Sequence, residues 1–184
     1  MKYEPRGKPP AEWTVKYWQW IYSKPKDQNP LKNGNIFSND FICLPCTGGG
    51  EDCGRKITLS GLDAQKDILI PVFASEYSTA EADNVSEDNL RSTARELSSP
   101  ITMEASLDSI PLTPYYLESK MFSLDIPPSH SLENPKVKPG TYKAVSCGYW
   151  HRLIALPKGK HLVKFGGSGS NGFFTRVMYE ILVS

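Results

Sequence analysis

Phe173-Phe174-Thr175-Arg176-Val177-Met178-Tyr179-Glu180-Ile181-Leu182-Val183-Ser184 decides the fold class. Phe173, Thr175, Val177, Tyr179, Ile181 and Val183 face one way, and Arg176, Glu180 and Ser184 face the other. That period of two belongs to a strand with one buried face. Moving back along the chain, Gly166 to Gly172 reads as a flexible loop. His161 to Phe165 reads as another strand, entered through Pro157-Lys158-Gly159, where proline and glycine suit a tight turn. Thr141 to Leu156 supplies two further runs, and in Met121 to Ile126 the residues Phe122, Leu124 and Ile126 share one side. Ile101 to Leu107 leads through Asp108-Ser109 into Ile110-Pro111-Leu112, which predicts a hairpin.

The first half continues the pattern. Lys56 to Ser60 and Ile68 to Phe73 read as a strand pair across Gly61-Leu62-Asp63, and Ile36 to Leu44 as a first strand. Pro71 lacks an N–H for the ladder, so its strand is expected at an edge or at a bulge. Eight or nine short strands at these intervals predict a mainly β chain. The expected architecture is a two-layer β-sandwich, jelly-roll or Ig-like, filling residues 1–184 as a single domain.

Two short peripheral helices are expected beside the sandwich. In the N-terminal aromatic helix, 11–23, Trp13, Tyr17, Trp20 and Ile21 share one face at 100° per residue. Trp18 and Tyr22 lie further round, so they are candidate interface residues. A helical insertion is expected within 75–99. Ser86 is its N-cap, Glu87 and Asp88 fall in the first turn, and Leu90, Ala94 and Leu97 recur at helical spacing.

Composition excludes little. Hydrophobic residues make up 39% and charged residues 22%, and the net charge of +1 selects no partner and weighs against nucleic acid. No run approaches the ~18 apolar residues of a membrane helix. The visible chain reads as cytoplasmic, or as secreted if a signal peptide once preceded it. Charge is nevertheless uneven. Six acids lie between Glu76 and Glu96, and eight Lys/Arg with no acid lie between Lys136 and Arg176. Glu76, Glu81, Asp83, Glu87 and Asp88 lack the spacing of a calcium loop and read as a solvated acidic segment. On alternating strands Lys160, Lys164 and Arg176 would line one outer face, a combination that suits polyanion binding. The simpler reading is that these lysines guard an exposed sheet edge.

Glu12-Trp13-Thr14-Val15-Lys16-Tyr17-Trp18-Gln19-Trp20, followed by Pro25 and Asn29-Pro30, resembles the opening of an uncharacterised bacterial and archaeal family with an EWT…WWQW segment. Ile68-Leu69-Ile70-Pro71-Val72, Gly148-Tyr149-Trp150 and Leu156-Pro157-Lys158-Gly159-Lys160-His161 are similar too. The resemblance implies a β-sandwich-like domain and no activity. Where relatives have an aromatic, glycine-flanked strand, this chain has Cys43-Leu44-Pro45-Cys46-Thr47-Gly48-Gly49-Gly50.

The cysteines offer the sharpest chemistry. Cys43 and Cys46 form a C-x-x-C, Cys53 follows, and Cys147 is distant in sequence. Together they are candidate zinc ligands, with His151 an alternative fourth. A Cys46–Cys53 disulfide and unpaired thiols are the competing readings. The glycine loop lacks the lysine and hydroxyl of a phosphate-binding loop. The three histidines fall in no catalytic motif. The function expected is a non-catalytic binding or interaction domain with a protein or carbohydrate partner, self-association left open. A metal-assisted hydrolase built on the Cys/His groups is the alternative.

Overall fold

Along the chain come α1 (Ala11–Tyr22), α2 (Pro30–Asn33), β1 (Phe37–Ser38), β2 (Ile42–Cys43), β3 (Asp52–Leu59), β4 (Ile68–Ser78), α3 (Glu87–Leu97), β5 (Pro100–Leu107), β6 (Ile110–Pro111), β7 (Tyr115–Glu118), β8 (Phe122–Ile126), β9 (Gly140–Leu153), β10 (Gly159–Gly169) and β11 (Phe174–Val183). This computed structural model describes residues 7–34, 36–45, 52–82, 84–130 and 136–184. Strand accounts for 46% and helix for 20%, and two open sheets pack against each other as a β-sandwich. The first sheet has the order β1-β2-β4-β9-β7, with β8 also paired to β9; the second is β3-β11-β10-β5-β6. Two pairs are parallel, β2 with β4 and β3 with β11.

The terminal alternation holds along the whole of β11. Thr175, Val177, Tyr179, Ile181 and Val183 are buried and the residues between them are exposed. Their inward side chains meet Ile68, Ile70, Val72 and Leu153 of the first sheet, forming the core between the layers. The Asp108-Ser109 hairpin forms as expected, with both residues at positive φ and Leu107 opposite Ile110. Phe122, Leu124 and Ile126 are buried on one side of β8.

Other expectations are corrected. β3 and β4 do not pair across Gly61; they belong to opposite sheets, and the segment between them crosses from layer to layer. Ile36 to Leu44 is not one strand but a small hairpin, β1 with β2. Thr141 to Leu156 is not two runs, because β9 is continuous from Gly140 to Leu153. β4 extends to Ser78, so the helical insertion begins later than residue 75. Pro71, by contrast, meets its expectation, since it lies at a bulge between Pro71 and Phe73, although on an interior strand rather than an edge. The extra residue shifts the alternation by one. Val72 faces the second sheet before it, and Phe73 meets Phe173 on the same side after it.

α1 packs outside the sandwich, on the far side of the first sheet. β4 is buried on every residue from Ile68 to Phe73, so both its faces need cover. Leu69 turns to the helix side, where Tyr17, Trp18, Ile21, Phe41 and Trp150 form a second apolar cluster. α3 lies on the opposite side of the first sheet, over Val145 and Cys147. The Ser86 hydroxyl accepts from the Asn89 N–H at 3.3 Å, capping the helix as expected. Arg95 then forks onto both carboxylate oxygens of Glu118 at 2.7 and 2.8 Å, tying α3 to β7. Leu97, read as part of the apolar series, is 40% exposed at the helix end.

Candidate functional site

The outward face of the second sheet carries a regular grid, fixed by strand register. Phe174 of β11 lies beside Ser168 of β10, which lies beside Thr102 of β5. The two hydroxyls are 2.6 Å apart. One row on, Arg176, Gly166 and Glu104 stand in line. Next come Met178, Lys164 and Ser106, then Lys56, Glu180 and Leu162, and finally Thr58, Leu182 and Lys160. All the outward residues of β11 are exposed, including the large apolar Phe174, Met178 and Leu182.

Gly166 leaves a gap in this grid. Its φ is +154°, and a Cβ there would sit 2.0 Å from the Thr175 carbonyl oxygen, so no side chain fits between β10 and β11. Arg176 and Glu104 approach across the bare backbone, Nε to Oε1 at 3.9 Å. A groove of about 860 Å³ opens at this end, walled by Phe173 and Phe174 and lined by Thr102, Ser168, Arg176 and Glu104. A second hollow of about 630 Å³ lies at the opposite end, among Lys56, Leu162, Met178 and Leu182. Asp108 closes its rim, accepting from the Leu162 N–H at 2.7 Å and pairing with His161 at 2.8 Å. Both hollows have volumes in the range of small-ligand sites.

The sequence placed Lys160, Lys164 and Arg176 on one outer face, and the registers put them there. Their explanation as edge guards does not survive, since β10 is the middle strand of its sheet and β11 is also interior. Phe174, Ser168, Thr102 and Glu104 were not singled out. Phe174 carried a usable signal, a large aromatic at the solvent-facing step of a strictly alternating strand. The rest become visible only when β5 and β10 are aligned.

The described cysteines do not converge. Cys43 is buried on the α1 side of the first sheet, and Cys147 is buried beneath α3 on its other side. Cys53 lies in the second sheet, where its sulfur accepts from Arg55 Nε at 3.0 Å. The same guanidinium donates to the Tyr179 hydroxyl at 2.9 Å and the Leu31 carbonyl at 3.1 Å. Cys46 lies outside the described residues. Zinc needs its sulfurs ~2.3 Å from one centre. Among the described residues no cluster of three His, Cys, Asp or Glu could hold a metal. His151 turns instead to the Thr113 carbonyl, 3.0 Å away. Burial pushes the Cys43 and Cys147 thiols up from their usual range, which suppresses the reactive thiolate. A thiol reagent should therefore leave these two cysteines unmodified in the native protein and label both after denaturation, as mass spectrometry of peptides would show. Chelation of unsupplemented protein should leave its Tm unchanged. Rapid native labelling of Cys147 or a Tm drop on chelation would contradict these placements.

The candidate interface residues are also relocated. Trp18 is buried, and its indole N–H donates to the Ser146 hydroxyl at 2.8 Å. Tyr22 is half-buried and stacks on Trp18 with centroids 6.0 Å apart. Both belong to the packing of α1 on the first sheet. The acidic segment is only partly solvated, because Glu76 of β4 is buried on the same side as α1. Burial, and then the neighbouring Glu81, holds its carboxyl well above the usual range, while the Tyr22 hydroxyl opposes that rise. Glu81 accepts from the Ser78 N–H at 3.2 Å and from its hydroxyl at 3.1 Å. Asp83 lies outside the described residues.

The chain matches no family model, no curated protein and no solved structure. No described helix is long and apolar enough to cross a membrane.

Proposed function

We propose that the chain is a non-catalytic binding domain, that the outer face of its second sheet is the ligand platform, and that the ligand is a polysaccharide. The observation that carries this reading is the groove at Phe173 and Phe174. There an aromatic wall stands beside the Thr102–Ser168 hydroxyl pair and the Arg176–Glu104 pair over a bare glycine floor. A sugar ring has an apolar face that stacks on an aromatic ring and a rim of hydroxyls that both donate and accept. Carboxylate, guanidinium and hydroxyl groups together match such a rim. The position on rigid sheet strands suits recognition without rearrangement. Among the described residues no three Cys, His, Asp or Glu lie together to hold a metal, which favours the binding reading over the metal-assisted hydrolase. The resemblance of Glu12 to Trp20, and of the later segments, to the tryptophan-rich family is likewise proposed as kinship, and it carries no activity.

Affinity electrophoresis through gels containing dextran, β-glucan, polygalacturonate or dextran sulfate tests the platform. At least one polymer should retard the protein, and Phe174→Ala should weaken that retardation about tenfold, the equivalent of ~1.4 kcal/mol. Phe174 is exposed, so the fold should survive the change. No retardation by any polymer, or retardation indifferent to Phe174→Ala, overturns the reading. Capture of an extended peptide on the same face would move the platform to a protein partner.

A further inference from the structure

We infer that the polysaccharide recognised by this face is anionic, a linear chain bearing carboxylate or sulfate groups that runs across the second sheet from Phe174 toward Lys160; the inference rests on the platform proposed above. Among the residues whose side chains are described, the sheet face carries four cations, Lys56, Lys160, Lys164 and Arg176, against Glu104 and Glu180, with Asp108 at the rim beside Leu162; Asp52 of the edge strand β3 stands in register with Arg176. The acids with described side chains are already engaged, Glu180 with Lys56 at 3.1 Å, Glu104 with Arg176 at 3.9 Å, and Asp108 with His161 and the Leu162 N–H. Lys160 and Lys164 have no acidic partner among the described residues, and both are exposed. Four residues of strand separate them, about 13 Å at ~3.3 Å per residue. Arg176 lies one row beyond Lys164, beside Gly166. The three cations therefore form a line along the strands that ends at the aromatic groove.

Position makes this line more than a solvated surface. Lysine on an edge strand prevents sheet-to-sheet association, but Lys160 and Lys164 stand on the central strand, where no edge needs guarding. Exposed apolar groups lie among them, with Met178 beside Lys164 and Leu182 beside Lys160. Spaced cations interleaved with apolar surface fit a polymer that offers repeated anions between apolar ring faces. Long-range attraction between the cationic line and such a polymer would also speed encounter at low ionic strength.

The test compares polygalacturonate and dextran sulfate with uncharged dextran and β-glucan, measuring Kd across a salt series. Anionic polymers should bind at least tenfold more tightly than neutral ones. Lys160→Gln with Lys164→Gln should cost at least tenfold on the anionic polymer and lower the slope of log affinity against log salt by roughly two, one per lysine. Lys143→Gln removes one charge from an exposed position of β9 in the other sheet and should change neither. Equal affinity for neutral and anionic polymers, with no effect of the double variant, overturns the anionic assignment while leaving the platform standing. Loss of all binding sensitivity to Phe174→Ala would overturn the platform itself. Duplex DNA bound as tightly as polygalacturonate would show that charge alone is read, and would also overturn the assignment.

Discussion

Trp18→Ala should destabilise the protein by about 3–5 kcal/mol, the usual cost of emptying a large buried aromatic position. Trp18 is 6% exposed, edge-on to Tyr17 at 5.0 Å and to Trp150 at 6.4 Å, and bonded to Ser146 through its indole nitrogen. Truncation leaves both a cavity and a buried hydroxyl without its donor. Trp18→Phe should cost about 1–3 kcal/mol, because it keeps most of the ring and loses the hydrogen bond. Trp20→Ala should cost less than Trp18→Ala, since Trp20 is only partly buried, lying edge-on to Tyr17 at 6.2 Å and tilted against Phe37 at 5.6 Å. Urea denaturation of the three variants checks this order. A larger loss at Trp20 than at Trp18 would mean that α1 is rotated about its axis from its present orientation.

Glu76→Gln should stabilise the protein at neutral pH and have almost no effect near pH 4. The Glu76 carboxyl titrates well above the usual range in the fold, so the native state keeps a proton that the unfolded chain releases from about pH 4.3 upward. Stability tied to that group is complete below the unfolded value and is lost as pH rises toward the folded one. Glutamine has the same shape, carries no charge and does not titrate. The variant's advantage should therefore grow with pH, reaching about 1–3 kcal/mol at neutrality, the scale for burying an uncompensated polar group. Glu118 works in the opposite sense. Arg95 first, by its fork, holds Glu118 below the usual range, and stability tied to it is lost as pH falls through the folded value. Subtracting the wild-type curve from that of Glu76→Gln cancels this contribution. Denaturation from pH 4 to 8.5 gives the comparison, and a difference that does not change with pH would remove Glu76 from the account.

The two variants also show where reading along the chain stopped. Sequence spacing centred the buried face of α1 on Trp13, Tyr17, Trp20 and Ile21. The helix instead buries Thr14, Tyr17, Trp18 and Ile21, an arc turned by about 65° at 100° per residue. Thr14 counted as polar and so pulled the expected face away from itself. Its hydroxyl donates to the Ala11 carbonyl at 2.8 Å within the helix, so it enters the core already satisfied. Glu76 misled in the same way, since a carboxylate in an acid-rich stretch looks solvated until the strand carrying it is found beneath a helix. At both positions burial was set by a partner distant in sequence.

What the sequence determined by itself is local: the alternation of β11, the Asp108-Ser109 turn, the Ser86 cap and the β-rich character of the chain. Each follows from residues within a few positions of one another, because strand pleat, turn conformation and helix cap are set by nearby backbone and side-chain geometry. It also placed Lys160, Lys164 and Arg176 on a common face, since a period of two survives without knowledge of the neighbouring strand. The tertiary structure decided which strands are neighbours. That choice put β3 and β4 in opposite sheets, made β10 central rather than an edge, and separated the described cysteines. It also brought Phe174, Ser168 and Thr102 into one row. Strand pairing is decided by non-local packing of apolar faces, and its register fixes which side chains meet. No pattern within a single strand contains that information.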